Sequence, residues 1–536
     1  MRFLSFGSTR TTTLVWAASL LGVFGAAGAC TVDIVSVDTG ADGTTGDGDG
    51  DGDDTSNWEP IPARGDIALS HVVVNQGVDV PIAVAGEWVG PADRNTYVVG
   101  NRDTLLRGFW EVPEDWVPRN ITAVLQLEYP DGTSESIKNT LPVEGASFPG
   151  DFDRAFVFPL VAEQFPPGIE YHLSLWEAGP GYEDQRESTT IIESPIGGAE
   201  QIGVQPEPAE LKIVMMPVAY TANGCNTNTG DLATVSAEQE QLFIDYIHEQ
   251  YPVQNIQWEF RRETPIQWTE ELTSLAQLWQ PLRDQREADA APPNTYYYAL
   301  VDACTNGIDG AGGIAPGLAT DTKAAAFERV SSGLWLGGDD YSYETMVHEL
   351  GHNHGRAHVF CSGGDAAGVD PSYPYDDGIT GVWGFGIRLF RFHSPTGTYD
   401  FMTYCNPTWI SDWGWSKAYN RIRTLTSWDY EGAVPNDDPV GEVLVGLLFK
   451  DGTEEWSTTT GAREPEFFSS GESVSFDYGD AVIDSPTNVQ ILDDGTTMIT
   501  SAVPRPRTTI QAASRLDAGQ ARSIVLQTPE TRAWSL

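Results

Sequence analysis

The chain is short of positive charge. Thirty Lys and Arg face 77 Asp and Glu, for a net charge of −47 over 536 residues. Holding nucleic acid takes clustered Lys and Arg against phosphate, so that class of partner is excluded from expectation. The imbalance predicts a soluble, aggregation-resistant surface with the acidic bias of an extracellular protein. The apolar run near the N-terminus, Leu14 to Phe24, is too short for a comfortable membrane span. A phosphate-cradling loop is lacking as well. Gly307–Gly317 is glycine-rich but carries no G-K-[ST], so it reads as a loop near a cleft rim. There is no internal repeat of fixed period. Cysteine is scarce, five in all, and none lies between Cys30 and Cys225.

The first 29 residues read as a targeting segment. Arg2 and Arg10 supply positive charge around the start, and the small residues Gly25-Ala26-Ala27-Gly28-Ala29 lead into Cys30. A small-residue run ending in Cys resembles a bacterial lipobox, in which the Cys is lipidated and becomes the first residue of the mature protein. Ala27 stands where Leu is preferred, and a plain secretory signal cut near Ala29 is the alternative. The expectation is an exported protein, an outer-surface or outer-membrane lipoprotein held to the membrane through Cys30 or released outside the cell. Residues 30–60 follow as an acidic Gly/Asp tether, since Thr39 to Asp54 is almost all Gly, Asp, Thr and Ala and cannot bury a core. Asp47, Asp49, Asp51 and Gly52 imitate a calcium loop, but Trp58 stands where the bidentate Glu is required.

What is concentrated in this chain is histidine. Residues 348 to 358 read HELGHNHGRAH, and they hold four of its eight histidines. On a helix, His348 and His352 lie one turn apart on one face, where two imidazoles can hold one Zn²⁺. Gly355 can take φ > 0 and end the helix, so that the chain turns back and offers His358 as a third ligand. Glu349 is not needed as a ligand and is placed to take a proton from water at the metal.

The pattern H-E-x-x-H-x-x-G-x-x-H matches at every fixed position, and in this the chain resembles the metzincin zinc metalloproteases. Tyr399-Asp400-Phe401-Met402-Thr403-Tyr404-Cys405 fits the Met-turn of that family, with Met402 as a polarizable floor beneath the imidazoles. Tyr404 resembles the tyrosine that in astacin- and serralysin-like members stabilises the oxyanion, while Asp400 replaces the usual Ser. The run from Asp400 to Trp413 resembles bacterial StcE-like secreted or surface proteases, whose relatives act on glycoproteins. In a metzincin the segments after the third ligand and after the Met-turn converge, so the resemblance implies a Cys361–Cys405 disulfide and leaves Cys225 for Cys304. An even number of cysteines after Cys30 in an exported chain suits two disulfides. Some metzincins are kept latent by a Cys on the metal, and no Cys is available for this before Cys225. Others use Asp in a Phe-x-Gly-Asp motif. Phe148-Pro149-Gly150-Asp151 matches those letters, but Pro-Gly-Asp is also ordinary turn chemistry.

The expected fold is an α+β metzincin-type zinc protease domain flanked by β-sandwich-like accessory domains. Short β-branched and aromatic runs separated by turns place an N-terminal β-domain at 61–205 and a smaller one at 431–536, with the protease at 206–430. Within 206–430, helices are expected over Ser236–Gln250 and Thr269–Ala288, and strands over Leu211–Tyr220 and Tyr296–Asp302. Ala324–Val330 is expected as a substrate-pairing edge strand, and Ser342 as the cap of the zinc helix. Arg391 and His393 are expected at the surface or facing substrate, and His71 and His172 as structural or surface residues. The function implied is a zinc endopeptidase acting on extracellular proteins or glycoproteins. The alternative is a surface adhesin or binding protein on the same scaffold, with little or no proteolysis.

Overall fold

The computed structural model describes residues 32–35, 58–317, 321–364, 366, 368–430, 441–462, 472–478, 482–504, 523–527 and 532–534. The targeting segment, Cys30 and the calcium-loop imitation at 47–52 lie outside the described residues. Val32–Val35, inside the stretch read as a tether, forms a strand against Ser134–Val143.

The architecture is organised by a central sheet that is apolar on both faces. Its path runs Cys225–Asn228, Glu210–Ala222, Thr295–Val301, Val330–Leu334, Gly313–Ile314. Asn255–Phe260 and Ile266–Trp268 also pair in parallel with Glu210–Ala222. Thr295–Val301 is buried at every residue, as expected for a parallel strand covered on both sides. Side chains alternate between the faces. Leu211, Ile213, Met215, Tyr296, Tyr298 and Leu300 join one core, and Val214, Met216, Val218, Tyr297, Ala299 and Val301 join another.

The first core is covered by helices α1 (Ala237–Gln250), α3 (Asp340–Asn353) and α4 (Asp412–Ser427), and it continues into the N-terminal β-domain. The second is covered by α2 (Trp279–Ala288) and by Val443, Val445, Leu447, Phe449, Leu492 and Met498 of a C-terminal antiparallel sheet. The N-terminal domain itself is two antiparallel sheets, with Arg119–Glu128 alternating buried and exposed along its length.

Three local expectations are corrected. Ala324–Val330 is not the edge strand: Lys323–Glu328 is a 3-10 turn, and the edge is the short Gly313–Ile314, antiparallel to Val330–Leu334. Helix α3 begins at Asp340 after Asp339, and Ser342 instead accepts a hydrogen bond from Leu336 N at 3.0 Å. The Thr269–Ala288 helix shortens to a 3-10 turn at Leu275–Leu278, capped by Ser274, followed by α2. The Ser274 hydroxyl accepts from Ala276 N at 3.1 Å, a cap that starts the helical backbone there and not at Thr269.

The N-terminal domain is fastened to the rest through Arg102. Its guanidinium donates to Tyr251 O at 3.0 Å, to Gln76 O at 2.9 Å, and to the carbonyls of His248 and Val253. Three of these carbonyls belong to the C-terminal end of α1 and the chain just after it, where a cation meets the negative pole of the helix. Burial lowers Arg102 to about 9 while Glu249 opposes the shift, so the side chain stays charged at neutral pH. Replacing it with a neutral side chain strands several buried carbonyls, at about 1–3 kcal/mol for an unsatisfied group. Arg102→Met is therefore expected to lower the unfolding free energy by about 3 kcal/mol, read from the urea midpoint. A loss below about 1 kcal/mol would show that the capping is not structural.

Candidate metal centre

Helix α3 carries His348, Glu349 and His352, and ends where Gly355 takes φ +78°. Gly355 has a second constraint, because a Cβ there would lie 2.3 Å from the Arg421 guanidinium. The reversal is closed by Arg356 N donating to Gly351 O at 2.9 Å, and it brings His358 back beside the helix.

The three imidazoles converge through their Nε2 atoms. His352 Nε2 lies 3.2 Å from Nε2 of His348 and 3.2 Å from Nε2 of His358. The other nitrogen decides what this contact is. His348 Nδ1 donates to Phe401 O at 2.7 Å, and His352 Nδ1 donates to Arg356 O at 2.8 Å. A carbonyl can only accept, so Nδ1 carries a proton in both rings and Nε2 is the nitrogen left to bind a metal. Burial, reinforced by the neighbouring His352 and His358, lowers His348 to about 3, so its ring is neutral at pH 7. Three imidazole Nε2 atoms turned toward one another are a donor set that suits a cation between them. Nitrogens about 2.0–2.1 Å from a tetrahedral zinc stand about 3.3 Å apart, close to the spacing found.

Glu349 sits beside this cluster, and its Oε2 has no hydrogen-bond partner among the described residues. Burial raises its carboxyl well above the ordinary range, and Asp493 adds to the shift. A Cβ on Gly313 would lie 2.6 Å from Glu349 Oε1, so the edge strand runs directly over the carboxylate. Together with Tyr341, Thr345, Tyr404, Asn406, Thr408 and Asp493, these residues line a cleft of about 250 Å³.

Beneath the imidazoles lies the turn containing Met402, which is fully buried. A Cβ on Gly351 would meet Met402 Sδ at 2.3 Å and Phe401 at 2.8 Å, so only glycine lets this turn press against α3. Asp400, which stands where the resemblance expects Ser, organises the turn. It accepts from Met402 N at 3.0 Å and from the Ser411 hydroxyl, and it pairs with Arg356 at 3.4 Å, both side chains being essentially inaccessible. Arg356 is also the residue whose carbonyl holds His352. Tyr404 packs its ring 4.9 Å from that of His358 and lines the same cleft as Asp493. The Cys361–Cys405 disulfide ties the chain after His358 to the chain after Met402, and Cys225 pairs with Cys304.

Other residues fall elsewhere. Asp151 caps the turn Phe152–Arg154, accepting from Asp153 N at 3.0 Å, and Phe148 packs edge-on to Trp383, so the Phe-x-Gly-Asp letters serve as a turn. His393 is buried and stacks on Trp409 at 3.8 Å, contrary to the surface expectation, while Arg391 pairs with Asp340 at the surface. Sequence reasoning missed Asp493. Its Oδ2 lies 3.4 Å from His358 Nε2 and 3.7 Å from His352 Nε2. The only local signal was a turn, Asp493-Asp494-Gly495, with nothing to say where it lands. No protein-family model and no curated protein matches the chain.

Two substitutions probe the support of the centre. In Gly351→Ala, overpacking of about 1–3 kcal/mol opposes a helix-propensity gain of about 1 kcal/mol. The sulfur lies far inside contact distance, so a net fall in Tm and weaker zinc uptake are expected; a rise in Tm would show that Met402 yields freely. Asp400→Ala leaves Arg356 as an unpaired buried charge, and a loss of about 3–5 kcal/mol is expected in urea unfolding. An unchanged midpoint would remove Asp400 as the organiser of the turn.

Proposed function

We propose that the chain is a zinc-dependent endopeptidase of the metzincin kind, with His348, His352 and His358 as metal ligands and Glu349 as general base. The observation that carries this is the convergence of three imidazole Nε2 atoms, two of them on rings whose Nδ1 is committed to a backbone carbonyl, beside the buried Glu349, with His348 and Glu349 lining a cleft. When bound, zinc supplies a Lewis acid that polarises a carbonyl and lowers the pKa of water toward neutrality.

The remaining work belongs to the protein's own side chains. Glu349 takes a proton from the attacking water and delivers it to the leaving amine nitrogen. Its depth in the fold favours this, since desolvation makes the carboxylate a stronger base. The Tyr404 hydroxyl donates to the carbonyl oxygen as it gains negative charge. The edge strand Gly313–Ile314 offers backbone groups to an extended substrate segment. Two disulfides favour an extracytoplasmic setting, in keeping with export and a lipid anchor on Cys30. Substrates would then be extracellular proteins or glycoproteins.

A second reading, a surface-binding protein whose metal centre does little or no proteolysis, is favoured by one observation. Asp493 supplies a fourth donor next to the three histidines, and closed four-ligand zinc sites are structural. Glu349 favours the enzyme, because a purely structural centre has no use for a buried acid beside it.

Glu349→Gln is expected to keep one zinc per chain and lose casein hydrolysis by at least about a hundredfold. Retained turnover would remove Glu349 from the mechanism. His358→Ala is expected to lose the metal, and a variant still holding one zinc per chain would break the third-ligand assignment. Wild-type cleavage is expected to stop with a chelator and return with zinc.

A further inference from the structure

We infer that Asp493 is a fourth ligand of the resting metal centre, so that the C-terminal sheet acts as a built-in inhibitor of the site. This rests on the metal-centre reading above and goes beyond it, because it concerns a residue outside the histidine motif and outside the protease segment.

The geometry comes first. The carboxylate oxygen stands 3.4 and 3.7 Å from two imidazole Nε2 atoms, nearly the 3.2 Å spacing of the imidazoles themselves. One donor atom from each of the four residues fits within 4.8 Å of the others. Three imidazole nitrogens and a carboxylate oxygen converging on one point are a donor set that suits a cation between them. Asp493 is thus placed where a water or a substrate carbonyl has to sit in an open catalytic site.

The delivery of this side chain is firm. Asp493 lies in the turn between strands Val482–Ile491 and Thr497–Ala502. The turn is closed by Leu492 N to Thr496 O and Gly495 N to Leu492 O, each 2.8 Å. Its neighbour Asp494 is buried, accepts from Thr496 N at 2.8 Å, and bonds the Ser274 hydroxyl at the start of the 3-10 turn before α2. Gln490 grips the main chain of Gly317 from both sides, with bonds of 3.1 and 3.0 Å. Leu492 and Met498 are buried in the core shared with the central sheet. The carboxylate is therefore presented by an anchored hairpin, and the side chain itself is only 19 % exposed. Opening the centre requires displacement of this turn, and with it some of the contacts between the C-terminal sheet and the protease segment.

The test compares the full chain with Asp493→Asn and Asp493→Ala. Zinc affinity is measured by competition with a chromophoric chelator, the visible spectrum of the Co²⁺ form is recorded with and without azide, and casein hydrolysis is followed. Both variants are expected to bind zinc at least about tenfold more weakly, the lower end of what losing even an outer-shell partner costs. Their Co²⁺ bands should differ from wild type and shift with azide, which the closed wild-type centre should exclude. Hydrolysis per bound zinc should rise at least tenfold. The Asn variant keeps the shape of the turn and covers the case in which Ala fails to fold. Unchanged affinity, spectrum and azide response in variants that fold would overturn the fourth-ligand role while leaving the metal centre intact. Altered metal binding with no rise in hydrolysis would overturn the inhibitory role alone. A wild-type chain that takes up no zinc would instead remove the metal-centre reading, and this inference with it.

Discussion

Everything around the site answers to one electrostatic constraint, the crowding of imidazole Nε2 atoms at 3.2 Å. Rings whose Nδ1 is committed to a backbone carbonyl, as in His348 and His352, gain little from turning their Nε2 atoms toward one another. The fold must hold them there before any cation is bound. It does so with a helix end that only Gly355 can shape, a methionine turn that only Gly351 can admit, and a disulfide joining the segments beyond both. The buried Arg356–Asp400 pair connects these supports. One partner provides the carbonyl for His352, and the other accepts from the backbone of Met402. Such pairs contribute little net stability but are costly to break, which suits a device for fixing geometry.

The two-faced central sheet explains why so much chain surrounds a small site. A parallel sheet that is apolar on both sides needs a layer on each. Helices α1, α3 and α4 with the N-terminal β-domain supply one, and α2 with the C-terminal sheet supplies the other. Neither flank is therefore an appendage on a finished central segment. Arg102 at the end of α1 and Gln490 against Gly317 are among the polar fastenings of the two flanks, and each satisfies backbone groups of the segment between.

Legibility in the sequence followed the range of the interactions. The histidine cluster is local, set by helical spacing and one glycine, so its geometry could be read from eleven residues. Met402, Tyr404 and the Cys361–Cys405 pairing were reached through family resemblance, because they come from a separate stretch whose approach to the helix no local pattern encodes. The edge strand was misplaced for a physical reason. Gly313–Ile314 is two residues long in a glycine-rich run, and the more strand-like letters at 324–330 turned into a 3-10 segment. Arg102 and Asp493 were illegible for the same cause. Each sits in or beside a turn, and a turn announces its own shape but not the distant groups it will meet. Asp400 was visible as a departure from the family pattern, yet its partner Arg356 was not, although Arg356 lies inside the motif itself.

The proposed fourth-ligand role links the two flanks to the chemistry through thermodynamics. If the docked C-terminal sheet donates Asp493 to the metal, then metal binding favours docking and docking favours metal binding by the same free energy. A substrate carbonyl competes for the position that Asp493 occupies, so substrate binding must loosen the sheet by as much as the sheet weakens substrate binding. The contacts that hold the sheet, Leu492 and Met498 in the shared core and Asp494 on Ser274, lie away from the ligand atoms. Their strength sets how firmly the centre stays closed without altering how the histidines hold a metal. Latency and metal affinity can therefore be tuned at different residues, which a carboxylate placed within the histidine motif itself would not allow.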